Sequence, residues 1–427
     1  MIEKQIIKQI IIEFQENIPQ LSYVHRNTVF DETSNYVLVG LRRAGKSYTI
    51  FQHIAERVKN KDCEIADVLY INFEDDRLGD FTMSDFQTIL TCYAELYPER
   101  KPQIYLDEIQ IIDGWEKFAR RLADQKYHVF ITGSNAKMLS KEIATTLGGR
   151  YITRQIHPFS FREYLAYKQI EITDNWQFSG QQLARIKSAF DNYFMYGGFA
   201  ESFNKDNPRE WLSMLLKKIL LGDIIVRNNI RDSNNVMLLQ RKLAQSVMQP
   251  SSINHLCNVL KSTGAKITRS TISDYIGNMK DAFLLFSIEN FASSIVERAM
   301  SQKNYFSDNG LLSISLFDAN TKLLENQVAI TLMKRYATDD YNNLYYYNKN
   351  VEVDFYIPSE SMAIQACYRL QGDSENTLKR ELSALSLFAD YAKCKKLLVI
   401  TYDEEDTITY KGKKIEVVPI WKWLLLE

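Results

Sequence analysis

Apolar positions along the chain fall into distinct regimes. Within residues 1–28, Ile6, Ile7, Ile10, Ile11 and Phe14 recur at helical spacing, which predicts an amphipathic helix. From Tyr36 to about Phe161, short apolar runs alternate with helical segments. The runs are Tyr36–Val39, Val68–Phe73, Ile104–Leu106, His128–Ile131 and Tyr151–Ile156. Buried runs of this length separated by helices argue for a parallel sheet covered on both faces. Two helix starts carry capping-box chemistry, Ser84-Asp85-Phe86-Gln87 and Ser160-Phe161-Arg162-Glu163.

Residues 165–245 read as helical, with Tyr196-Gly197-Gly198-Phe199 as the clear breaker. Between Ser251 and Phe286 the order is a helix at Ile253–Leu260, a turn at Thr263-Gly264, a helix at Thr271–Met279 and an apolar run at Ala282–Ile288. That order suits a winged helix-turn-helix. From about residue 300 a helix around Leu323–Arg335 precedes strands at Leu344–Tyr347, Val351–Ile357 and Met362–Tyr368. A helix near Thr377–Tyr391 then leads to strands at Lys396–Thr401 and Ile415–Pro419. The expected fold class is α/β. The expected segments are 1–165 (parallel-sheet domain with the N-terminal helix), 166–245 (helical lid or linker), 246–300 (winged helix) and 301–427 (a separate α/β domain).

Composition narrows the class further. The chain has 427 residues, 52 Lys plus Arg against 53 Asp plus Glu, and 45% apolar residues. This balance excludes a strongly basic nucleic-acid coat or an acidic solvating tail, and suits a globular protein with several cores. The five cysteines are scattered and never spaced as CxxC, so neither a disulfide framework nor a structural zinc site is expected. No apolar run is long enough to span a bilayer and the N-terminus lacks a signal-peptide layout. The expected location is the cytoplasm, without membrane attachment.

The chemistry concentrates first at Gly40-Leu41-Arg42-Arg43-Ala44-Gly45-Lys46-Ser47, which matches G-x-x-x-x-G-K-[ST] between a predicted strand and a predicted helix. Its glycines let successive N–H groups curl around a phosphate, Lys46 reaches the β- and γ-phosphates, and the Ser47 hydroxyl binds Mg²⁺. Gly40 to Ser47, with Tyr48, are assigned to ATP. The strand Ile104–Leu106 ends in Asp107, assigned to the magnesium shell, and Glu108, assigned to the attacking water. Either Ser134 or Asn135, in Ile131-Thr132-Gly133-Ser134-Asn135, is expected to touch the γ-phosphate or that water. Arg150, after Gly148-Gly149, is a candidate for the charge that stabilises the transition state, in its own chain or across a subunit interface; the alternative is a helix cap. Arg42 and Arg43 read as outward charges, and Glu74, Asp75 and Asp76 as a solvated loop rather than magnesium ligands.

These motifs, GLRRAGKS at 40–47, YLDEIQ at 105–110, ITGSN at 131–135 and LGGR at 147–150, resemble a bacterial and archaeal branch of AAA-type P-loop ATPases. HPFSFRE at 157–163, YGGFAE at 196–201, DIIVR at 223–227 and YFSDNGL at 305–311 fit the same branch. The resemblance implies ATP and Mg²⁺ as ligands, with Lys46, Ser47, Asp107 and Glu108 carrying the chemistry and Arg150 as a candidate arginine finger. It also implies a winged-helix segment and a C-terminal domain resembling PD-(D/E)xK nucleases.

A nuclease of that type needs carboxylates for Mg²⁺ and a lysine beside the attacking water. Glu325 and Asp354 stand at two of these positions, but the E-x-K position reads Gln365-Ala366-Cys367. A nuclease fold without the cutting chemistry is therefore expected, with Lys349 and Lys379 the nearest substitutes in sequence. The winged-helix candidate offers Lys261, Lys266, Arg269 and Lys280 to nucleic acid, offset by Asp274 and Asp281. DNA, a protein partner and a second copy of the chain stay open as partners. The leading function is an ATP-driven conformational switch, against an ATP-regulated DNA nuclease and a non-hydrolysing nucleotide-binding scaffold.

Overall fold

A computed structural model describes residues 2–135, 145–292, 294, 298, 301–338, 341–370 and 375–426. The chain divides into two compact units, Met1–Pro158 with Asp281–Phe283, and Phe159–Lys280 with Leu284–Glu427. The segment boundaries expected near 245 and 300 do not separate compact units.

In the first unit, helix α1 (Lys4–Asn17) buries Ile7, Ile10 and Ile11. It ends well before residue 28, because Pro19 opens a short 3-10 turn at Ile18–Gln20. Strands β1 (Asn35–Val39), β2 (Val68–Asn72), β3 (Gln103–Asp107), β4 (His128–Gly133) and β5 (Tyr151–Gln155) form a five-stranded parallel sheet in the order β2-β3-β4-β1-β5. Helices α2 (Lys46–Asn60), α3 (Phe86–Leu96) and α4 (Trp115–Asp124) lie between them in the chain. Nearly every residue of β1 to β4 is buried, as in a sheet covered on both faces. Tyr36, Leu38, Val68, Tyr70, Tyr105 and Phe130 join Ile50 and Ile54 of α2 in one apolar cluster. Strand β5 departs from the expected buried run: it is an edge strand in which exposed residues alternate with half-buried ones.

The capping boxes divide. Ser160 and Glu163 cap each other as expected at helix α5 (Phe161–Tyr167). The earlier box is made one step upstream, by Thr82 and Asp85, with the Asp85 carboxylate accepting from the Thr82 N–H at 3.0 Å; Ser84 and Gln87 do not form it. Thr82 lies in extended backbone, where a cap must start, whereas residues 83–85 are already one 3-10 turn.

The second unit holds a mixed nine-stranded sheet. Its strands are β6 (Ser251–Ser252), β7 (Leu285–Asn290), β8 (Ser301–Phe306), β9 (Tyr345–Asn348), β10 (Glu352–Ile357), β11 (Met362–Ala366), β12 (Lys396–Thr401), β13 (Asp406–Tyr410) and β14 (Lys413–Pro419). The spatial order is β13-β14-β12-β11-β10-β9-β7-β8-β6. Its helices include α6 (Gly180–Tyr196), α7 (Pro208–Lys218), α8 (Ser233–Gln245), α9 (Ile253–Ser262), α10 (Arg269–Asp281), α11 (Asn309–Ser313), α12 (Asn320–Tyr336) and α13 (Glu375–Ala392). Helices α9 and α10 and strand β7 follow the order read from the sequence, while β8, antiparallel to β7, was not among the expected strands. However, β7 also pairs in parallel with β9, so this hairpin continues the sheet of the C-terminal region.

Several motifs of the second unit meet in one buried clamp. Asp308 accepts from the N–H groups of Gly198 (2.7 Å) and Gly310 (2.8 Å), so YGGFAE and YFSDNGL hold each other. Gly197 has φ +74°, and a Cβ there would stand 2.0 Å from an Asp308 oxygen. Asn309 donates to the carbonyls of Phe194 and Leu323, and Asn326 locks to Phe306 through its N–H and its carbonyl. In DIIVR, Asp223 and Arg227 pair at 3.1 Å on a π-helical stretch, Ile219–Val226. These letters carry packing rather than chemistry.

Candidate nucleotide site

The loop between β1 and α2 has the backbone an anion cradle needs. Gly40, Arg43 and Gly45 all have positive φ, at +148°, +63° and +96°. Gly40 is further required by contact, since a Cβ would stand 2.1 Å from the Ile156 carbonyl oxygen. Lys46, only 4% exposed, sends its ammonium back across the loop to the carbonyls of Gly40 (3.3 Å) and Leu41 (3.4 Å).

The strand order decides what faces this loop. Strand β4 lies between β1 and β3, so Asp107 and Glu108 stand two strands over from the loop and their side chains reach it past the end of β4. Asp107 is buried at the end of β3, held by the Tyr70 hydroxyl at 2.7 Å, by the Thr132 hydroxyl and by Ser47. Burial raises its pKa, and these hydrogen bonds and the nearby Glu108 charge act in opposite directions on that shift. The Ser47–Asp107 contact joins the two residues assigned to magnesium.

Glu108 sits in the left-handed region, φ +53°, a strained position for a glutamate. Its N–H donates to Thr132 Oγ1 at 2.9 Å, which turns the side chain toward the loop. There Glu108 Oε1 meets Lys46 Nζ at 3.4 Å, and Oε2 accepts from the Gln110 amide at 2.5 Å. Burial pushes the Glu108 pKa up, but the Lys46 charge and the Gln110 hydrogen bond outweigh it, and the carboxyl stays below its ordinary range. Two polar atoms beside this group have no hydrogen-bond partner among the described residues, Ser134 Oγ and Gln110 Oε1. Ser134 is 1% exposed, so its hydroxyl is a buried polar group able to accept or donate a hydrogen bond. Asn135 lies half-buried next to it.

The remaining sequence assignments scatter. Tyr48 is exposed and stands against Phe51. Arg42 pairs with Glu74 at 3.1 Å, and Asp75 with Arg77. Leu41 and Ala44 are buried. Arg150 lies apart from the loop within its own chain. It precedes β5, and Tyr151 pairs in register with Asn35, at the end of β1 away from the phosphate loop. Gly40 is five strand steps of about 3.3 Å from Asn35, which puts Arg150 more than about 16 Å from the loop's start. There it pairs with Asp124 at 2.6 Å. Residues that sequence reasoning missed are Tyr70, Thr132 and Gln110, which hold the two acids. Arg26 is another, donating to the Ala44 carbonyl inside the loop at 3.1 Å and to the His157 carbonyl at 2.8 Å.

Comparison with known proteins places this geometry. Residues 32–165 match the AAA domain family, AAA_14. An uncharacterized protein of Methanocaldococcus jannaschii, MJ1544, is 32% identical over the whole of this chain and 96% of its own length. The chain belongs to the MJ1544 family. Another uncharacterized protein, from Haemophilus influenzae, is 29% identical over 96% of this chain and 98% of its own. Residues 187–322 match a domain of unknown function, DUF8612. Among solved structures, the Walker-type ATPase PABY2304 of Pyrococcus abyssi aligns over 74% of this chain and 96% of its own, at 14% identity and a TM-score of 0.41. The AAA match runs from just before β1 into α5, and so contains the whole phosphate loop, Asp107, Glu108 and Ser134. Among the described residues, no helix is long and apolar enough to cross a membrane.

In the second unit the nuclease-like positions separate. Glu325, Asp354 and Gln365 come together, but Cys367 does not: it packs into the apolar cluster beneath α13. The lysine that reaches these acids is Lys303 of β8, in place of the expected Lys349 or Lys379. Of the cations considered for nucleic acid, Lys280 is drawn in to Gln302 at 2.9 Å, and burial lowers its pKa.

Proposed function

We propose that the AAA domain binds Mg-ATP and hydrolyses it, and that this cycle switches the arrangement of the modules that follow. The observation that carries the reading is the Lys46–Glu108 contact of 3.4 Å on the loop whose Gly40, Arg43 and Gly45 take positive φ. Lys46 has no anionic partner at the site other than Glu108 among the contacts described, and a triphosphate offers it a stronger one. Once Lys46 turns to the phosphates, Glu108 is left with Gln110 and is free to accept a proton from water. Ser134 supplies a hydroxyl to the γ-phosphate or to that water.

The residues suit magnesium. Ser47 and Asp107 already meet, and Asp107 is kept buried and oriented by Tyr70 and Thr132. They would hold the ion, which neutralises phosphate charge when bound. Arg150 enters only from a neighbouring copy of the chain. The test is ATP binding and turnover in wild type and Lys46→Ala. Turnover by the wild type and loss of binding in the variant support the reading; unchanged ATP affinity in Lys46→Ala overturns it.

A further inference from the structure

The C-terminal resemblance implies a divalent metal held by Glu325 and Asp354, and the side chains there do not fit one. Lys303 is fully buried, and its ammonium lies 3.1 Å from Asp354, 3.1 Å from Glu352 and 3.3 Å from Glu325. An ammonium has three protons, and three carboxylates from two elements, α12 and β10, take them. We infer that Lys303 is a built-in cation, standing where a metal would stand and closing the cluster of Glu325, Glu352 and Asp354 to divalent ions.

The surrounding bonds leave little to offer a metal. The Tyr305 hydroxyl donates to Glu325 at 2.7 Å, and the second Asp354 oxygen accepts from the Ala366 N–H at 3.0 Å. Gln365, at the first place of the degenerate E-x-K position, accepts from the Asp354 N–H at 2.7 Å through its side-chain carbonyl. Its amide donates to Glu381 at 2.6 Å and to the Glu352 carbonyl at 3.2 Å. Among the described residues, no His, Cys, Asp and Glu side chains gather closely enough to hold a metal, these included. A divalent ion needs oxygens at about 2.0–2.6 Å. Carboxylates spread around an ammonium at more than 3 Å cannot close to that distance while it remains, and the two cations would repel each other at contact range. Lysine and metal exclude one another here.

Substituting the lysine should therefore create the metal site that the native chain lacks. Mn²⁺ is the probe, added alone to the full chain without nucleotide and counted by the loss of free Mn²⁺ signal in electron paramagnetic resonance, with thermal melting in parallel. The wild type and Asp354→Asn should bind the same amount of Mn²⁺. Lys303→Ala should melt lower than wild type, gain one Mn²⁺ per chain, and recover part of the lost melting temperature with it. Adding Asp354→Asn to Lys303→Ala should remove that gain. If Lys303→Ala does not fold, Lys303→Met with Glu325→Gln removes one charge of each sign and carries the same test through Glu352 and Asp354. Mn²⁺ bound by the wild type and lost in Asp354→Asn overturns the inference, as does a folded lysine variant that gains none. The outcome is independent of whether the AAA domain hydrolyses ATP.

Discussion

Two buried lysines in this chain meet carboxylates and do opposite things. Lys46 touches one carboxylate and two carbonyls, all at 3.3–3.4 Å, on a loop whose glycines leave its N–H groups turned outward. Lys303 touches three carboxylates at 3.1–3.3 Å, between strands whose backbone is paired. The first ammonium has one carboxylate and two neutral carbonyls for partners, so a phosphate, with more negative charge, gains by displacing them. The second is saturated, and any displacement strands buried carboxylates. What separates a ligand site from an ion-pair core here is how much negative charge the fold already places around the ammonium, not the presence of a buried lysine.

The lysines are where the comparison breaks most visibly. Lys46→Ala should lose ATP binding and keep the fold, read by nucleotide titration and circular dichroism. Lys303→Met should keep the ATP site and lose about 3–5 kcal/mol of unfolding free energy, as when one partner of a buried ion pair is removed. Equal loss of stability in both would erase the distinction.

A second contrast lies in proton linkage. Burial raises the Asp308 carboxyl to about 6, while its three N–H donors pull the other way. A group whose folded pKa is raised adds stability below its unfolded pKa and loses it as pH rises through the folded value. Wild type should therefore lose up to about 3 kcal/mol relative to Asp308→Asn between pH 4 and pH 7, measured by denaturant unfolding. A parallel pH profile for the two proteins would contradict this. The smallest effect is expected at Ser134. Ser134→Ala should keep ATP affinity and lower turnover by about 10²-fold, the scale of one preorganised donor. Undiminished turnover would remove Ser134 from the site and leave Asn135.

What was legible in the sequence follows from distance along the chain. The phosphate loop is one contiguous stretch whose glycine positions are its geometry, so GLRRAGKS announced it. The same holds for Asp107 and Glu108, two acids at the end of an apolar run. Tyr70 and Thr132 were invisible because they reach Asp107 from other strands, 37 and 25 residues away. Lys303 is 22 residues from Glu325 and 51 from Asp354, farther from the degenerate motif than the lysines that sequence proximity favoured. The end of the sheet at which Arg150 stands was hidden for a related reason: periodicity shows that a strand follows it but not which end that strand approaches. The nine-stranded sheet was hidden because its β7–β9 pairing joins residues that local patterns treat as separate modules.

The central claim is that Glu108 activates water once a nucleotide has drawn Lys46 away. Single-turnover ATP hydrolysis in Glu108→Gln tests it most directly, with ATP affinity measured on the same protein. The account predicts unchanged or tighter ATP binding and turnover reduced at least 10²-fold, within the range removed with a general base. Hydrolysis by Glu108→Gln at the wild-type rate would contradict it.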